Sequence, residues 1–236
     1  MLADVISACI GIAIALVLAF PLGGVLKKHP GPFYLVAFLL VAAHFVYRVN
    51  GMYFAPAQVF LDVLNKAYLG MALLAIVMFV GVFDEDSAVR HKLQPLRPEL
   101  SILSFIFICD HMIGYAPSFV PVLDRLFTVR AGMAVSIVCA IVLAIVFAVL
   151  SATSLRVVRH KMNGKTWKNI QRGAYVMVAL VWLHIILVLG RSAASSQSAQ
   201  FALAVYTIGV ALYAILRIRK ALRDRARNQA KASGAS

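Results

Sequence analysis

The chain is 236 residues long, 62% hydrophobic and only 14% charged, with a formal net charge of +14. So few charges cannot clothe a water-facing surface, where about 25% is usual, and a mean hydropathy of +0.89 makes the bilayer the solvent. The Lys and Arg residues gather between apolar runs and in the tail, which argues against a nucleic-acid partner and for anionic lipid headgroups.

Seven apolar runs, at about 4–23, 33–50, 66–83, 100–120, 131–155, 172–190 and 200–217, predict an all-α polytopic membrane bundle of about seven transmembrane helices. No strand-period alternation competes with them, and hydrocarbon leaves a helix as the only way to satisfy each backbone. The N-terminus lacks the basic flank of a cleavable signal, so the first run is expected to be a genuine span.

The connections follow in order. Lys27, Lys28, His29 and Pro30 mark the first, and Gly51, Pro56 and Asp62 the second, expected as a loop over 51–65. Asp84 through Glu99, with Pro95 and Pro98, forms the third, and Pro117, Pro121 and Asp124 mark the fourth. The fifth is the basic stretch Arg156 to Arg172, and the sixth is the Ser/Ala-rich stretch Arg191 to Gln200. Residues 1–220 are thus expected to be one transmembrane bundle, followed by a basic cytoplasmic tail over 221–236, disordered from about Lys231.

Of the 23 Lys and Arg residues, 18 lie in the first, third and fifth connections and the tail. The positive-inside rule puts that set in the cytoplasm, the N-terminus outside, and the chain in the inner (plasma) membrane as a multi-pass protein. The three cysteines, Cys9, Cys109 and Cys139, all fall in apolar runs and read as small apolar side chains. No G-x-G-x-x-G follows a strand, so no nucleotide-binding module is expected.

Three of the six histidines lie inside apolar runs: His44, His111 and His184. Each falls about 11–12 residues into its run, roughly 16–18 Å from the inner end, and all three runs point the same way. Intramembrane ionisable residues are functional by default. Two imidazoles at one depth on neighbouring helices are what a b-type haem needs for its axial ligands. A neutral histidine hydrogen-bonded to a neighbouring helix is the plainer alternative for each.

Arg48 follows His44 by one turn on the same face and could clamp a haem propionate or reach the interface as a snorkelling side chain. His44 itself is open between ligand, quinone contact and packing residue. Asp110 adjoins His111 and could pair with Arg48 or His44, or relay a proton.

The stretch from about 97 to 184 carries an ordered set of residues. Arg97-Pro98-Glu99-Leu100 leads through Cys109-Asp110-His111 to Tyr115. Thr153-Ser154 ends a long helix, and a basic loop then leads to Trp167, Gln171, Tyr175 and His184. This pattern resembles the ferric reductase-like transmembrane domain family, nearest to the haem-binding membrane subunit of the periplasmic methionine sulfoxide reductase system. The resemblance covers the fourth to sixth spans, with a family-like core over about 33–218 and the first helix, 4–23, as an addition.

The resemblance implies one haem b in the outer half of the membrane, ligated by His111 and His184. Gln171 stands where the family has another histidine, and position 97 is an arginine, so an inner haem is not expected. The implied role is a transmembrane b-type cytochrome, an electron-transfer subunit rather than a self-sufficient oxidoreductase. It would take electrons from quinol or a flavoprotein partner, which would bring any flavin, and pass them to an external redox partner. The rival expectation is a haem-free permease subunit or scaffold whose histidines pack or relay protons.

Overall fold

The computed structural model describes residues 2–126 and 131–233. Among them are helices and turns and no strand. The expected all-α membrane bundle is therefore what the chain forms. Six helical stretches are long and apolar enough to cross a membrane, and a bent helix pair makes a seventh.

The first span is α1 (Leu2–Ala19), which ends in a tight turn and the short α2 (Gly23–Lys28). Pro30 then opens α3 (Pro30–Val49) at its first position, where the missing N–H costs nothing. Gly51, at φ 62°, closes α3: its N–H reaches the Arg48 carbonyl at 3.0 Å and the Met52 N–H the Tyr47 carbonyl at 3.2 Å. Two carbonyls of the last turn are thereby satisfied.

The third span departs from expectation. Residues 58–65, expected as part of a loop, form α4 (Gln58–Asn65). It meets α5 (Tyr68–Phe79) at a break, and the two segments, taken to Val82, are bent by 50°. Val63 of α4 is buried in the core that includes Ala15 and Leu69, and Ser7 of α1 donates to the Val59 carbonyl at 2.9 Å. The chain turns at Lys66–Ala67 because Asp62, Asn65 and Lys66 cannot continue an apolar span, and Ala67 adopts φ 59° to make the corner.

The short α6 (Ala88–Leu93) leads into α7 (Arg97–Phe119), with Pro98 in its first turn. Pro117, expected to mark a connection, lies inside α7, and a 3-10 stretch continues over Val120–Arg125. Then come α8 (Ala131–Ala152), α9 (Arg156–His160), α10 (Gly164–Gln171) and α11 (Gly173–Ser192). The last helix, α12, runs Gln197–Ser233. The tail is thus helical through 233 rather than disordered from 231, and residues 234–236 lie outside the described residues.

Two apolar cores hold the bundle. One joins α1, α3, α4, α5 and α7 around Leu73, Leu100 and Leu103. The other joins α5 and α7 to α8, α11 and α12 through Leu74, Met78, Phe147, Met177 and Tyr213. Between α5 and α7 the backbones approach closely: a Cβ on Gly70 would meet the Ile108 side chain at 2.6 Å, and Ser104 Oγ donates to the Gly70 carbonyl at 2.7 Å.

The polar contacts separate the two ends. At one end Arg156 reaches the Lys27 carbonyl and Glu99, while Arg223 and Lys220 pair with Asp84. The first, third and fifth connections and the end of α12 therefore share this basic end, as the charge count predicts. At the other end Lys66 Nζ lies 2.7 Å from Asp4 and 2.8 Å from Asp62, and Ser198 donates to Asp4 at 2.8 Å, tying α1, α4 and α12 together.

Candidate functional site

The break between α4 and α5 organises the far half of the bundle. In a continuous helix the Asn65 carbonyl would accept from residue 69. The break frees it, and His111 Nδ1 donates to it at 2.8 Å. A carbonyl can only accept, so the proton of a neutral His111 ring sits on Nδ1 and Nε2 carries the lone pair. Tyr115, one turn on, packs its ring 4.8 Å from the imidazole centroid.

The Asn65 side chain serves a second residue. Arg48 donates to Asn65 Oδ1 at 2.6 Å and to the Gly114 carbonyl at 2.6 Å. Arg48 thus bridges α3, α4 and α7 one turn beyond His111. Gly114 has no side chain because a Cβ there would run into the Arg48 guanidinium.

His44 and Asp110 form a buried pair, 5% and 3% exposed. His44 Nδ1 lies 3.0 and 2.8 Å from the two Asp110 carboxylate oxygens. Of the two partners open to Asp110, the fold selects His44. A lone carboxylate at this depth would be costly, and the ring N–H shared between both oxygens offsets much of that cost.

His184 stands on α11 with its Nδ1 buried and no hydrogen-bond partner among the described residues. His111 and His184 each stand eight residues before the end of their helices, at Phe119 and Ser192, about 12 Å in. Both helices pack against α8. On α11 only Met177 is buried, so the half of the helix that carries His184 is loosely packed by its neighbours.

The structure brings together His44 with Asp110 and His111 with the Asn65 carbonyl. Arg48 sits beside this group, held by amide and backbone oxygens. No cluster of three or more His, Cys, Asp or Glu side chains with metal-binding geometry occurs among the described residues. At the basic end Gln171 Nε2 donates to Thr153 Oγ1 at 2.9 Å and to the Leu150 carbonyl at 3.3 Å, and Trp167 Nε1 donates to the Thr153 carbonyl at 3.0 Å. These side chains cap the end of α8.

A 170-residue stretch, 71% of this chain, is 31% identical to a protein of Treponema pallidum (strain Nichols) described as uncharacterized, 47% of which it covers. The chain thus spans about half the length of that relative. No family model matches the chain. No solved structure matches it.

Proposed function

We propose that this chain is a transmembrane b-type cytochrome that holds a single haem between α7 and α11 through His111 and His184. One observation carries the reading: His111 spends Nδ1 on the Asn65 carbonyl and keeps Nε2 as an uncommitted lone pair, while His184 has a buried nitrogen with no partner among the described residues. Metal-ligating histidines commonly donate their other ring N–H to a carbonyl in this way. An orphaned polar nitrogen in a bundle is otherwise costly.

These residues fit a bis-histidine haem, whose bound iron would supply reversible one-electron transfer. Asn65 fixes the tautomer and ring angle of His111. Arg48 keeps positive charge beside the site, where propionates would be balanced. The buried His44–Asp110 hydrogen bond would suit a proton relay beside quinol oxidation. Gln171, whose amide is taken up in capping α8, leaves the basic end without the histidine that a second haem would need.

On this reading the chain is the electron-transfer subunit of an oxidoreductase system in the inner (plasma) membrane, resembling the ferric reductase-like family. Quinol or a flavoprotein partner supplies electrons, and an acceptor outside receives them. The purified chain should show a reduced-minus-oxidised b-type spectrum with one haem per chain. His111→Ala and His184→Ala should each remove it, and His29→Ala should not. A spectrum that persists in both variants overturns the assignment.

The His44–Asp110 pair favours a second reading, a haem-free permease subunit in which that pair relays protons. A colourless preparation from haem-replete cells would select it.

A further inference from the structure

A second site lies at the basic end, away from the histidines. There a cavity of about 990 Å³ opens between α2, α7, α9 and α10, within the range that ligand sites occupy. Lys27, Lys28, Arg156, Arg159 and Lys168 line it against a single carboxylate, Glu99. Glu99, 2% exposed, takes Arg156 Nη2 at 2.7 Å through Oε1, and its buried Oε2 has no hydrogen-bond partner among the described residues. The same nitrogen donates to the Lys27 carbonyl at 2.8 Å, which fixes Arg156 between α2 and α7.

The other cations have no anionic partner. Arg159 stacks on the Trp167 ring, 4.5 Å from its centroid. Lys27, Lys28 and Lys168 make no ion pair or side-chain hydrogen bond among the described residues. The α2 segment and the distant α9–α10 segment therefore bring like charges to one concavity and leave all but Arg156 unneutralised. Self-repulsion of that kind is relieved by a bound anion.

The walls also carry Pro95, Pro98, Met162 and the half-buried Trp167, at the level where α7 begins and α8 ends. Cations beside apolar walls at a membrane interface suit an amphiphile better than a freely soluble anion. Basic pockets between helices on the cytoplasmic side recognise anionic headgroups.

We propose that this cavity is a binding site for the phosphate of an anionic phospholipid headgroup. Arg156, held by Glu99, is the fixed donor, and Lys27, Lys28, Arg159 and Lys168 close on the phosphate. The site is independent of the haem and stands whether or not the chain binds one.

The test uses the full chain, purified in non-ionic detergent and titrated with phosphatidylglycerol in mixed micelles, read by apparent Tm and by native mass spectrometry. Phosphatidylglycerol should raise the Tm saturably, with one lipid retained per chain, and phosphatidylcholine should not. Lys27→Gln/Lys28→Gln/Lys168→Gln should raise the half-saturating lipid concentration at least tenfold. The side chains of these three lysines make no hydrogen bond or ion pair among the described residues, and Gln at 27 keeps the carbonyl that Arg156 uses, so the lipid-free Tm should be unchanged. If the triple variant does not fold, Lys168→Gln alone should still weaken binding about threefold.

The charge-matched control, Arg219→Gln/Arg225→Gln/Arg227→Gln on the exposed end of α12, should bind within twofold of the parent. Equal weakening in that control overturns the proposal in favour of diffuse attraction. Equal stabilisation by phosphatidylcholine overturns it as well. Saturation by inorganic phosphate at concentrations below those of the lipid overturns the lipid assignment and makes this a soluble-phosphate site.

Discussion

His111 and Asn65 meet because a backbone carbonyl lost its helical partner, and that carbonyl decides which imidazole nitrogen keeps its lone pair. The three histidines were legible in the sequence because ionisable residues stand out in apolar runs and their depths can be counted. Asn65 was not legible, since every residue has a carbonyl and only the α4–α5 break exposes this one. Asn65→Ala separates the two roles. It removes the Arg48 contact but keeps the carbonyl, so haem content is expected to stay near the parent value while the midpoint potential moves. A redox titration checks this, and loss of haem would contradict it. At the basic end, Arg156→Ala would strand the buried Glu99 carboxylate. Removing one partner of a buried pair costs about 3–5 kcal/mol, and Arg156 is half-exposed, so about 2 kcal/mol is expected. Denaturant titration of the purified chain reads it, and Glu99→Gln in the same background should recover much of the loss.

The broken third span is the element on which the site depends. Its polar residues, Asp62, Asn65 and Lys66, were visible in the sequence, but Gly51 and Pro56 suggested a loop over the whole of 51–65. The packing of α4 was hidden because Val59, Val63 and Leu64 make too short an apolar face to announce a buried helix. At the corner Ala67 holds φ 59°, a region that a β-branched residue resists. Ala67→Val should lower the apparent Tm, by an amount on the order of 1–3 kcal/mol in stability, and Ala67→Gly should leave it unchanged or raise it. The reverse order would show that the corner is not a constraint. One turn on, Gly70 lets α5 touch α7. Gly70→Val would drive a branched side chain into Ile108 and the Ser104 carbonyl, and should separate the two helices and abolish stable expression.

Over the whole molecule, charge sets the arrangement. The distribution of Lys and Arg predicted which connections lie together, and the contacts of Arg156, Lys220 and Arg223 place them at one end. The tail was read as soft at its end because Ser and Gly close it, yet its Ala, Arg and Lys residues are good helix formers and extend α12 to 233. A fluorescent protein fused after Ser236 should glow in living cells and an alkaline phosphatase fused there should be inactive, as the cytoplasmic assignment requires. Opposite signals would invert the topology and put His111 and His184 in the inner half of the bilayer.

The central claim is that His111 and His184 grip one iron, and low-temperature electron paramagnetic resonance of the oxidised protein tests it most directly. The parent should give a low-spin ferric signal of bis-imidazole type. His111→Gly and His184→Gly should each turn high-spin or lose the haem, and added imidazole should restore the low-spin signal. A parent that is high-spin, or low-spin signals that survive in both variants without imidazole, would contradict the account.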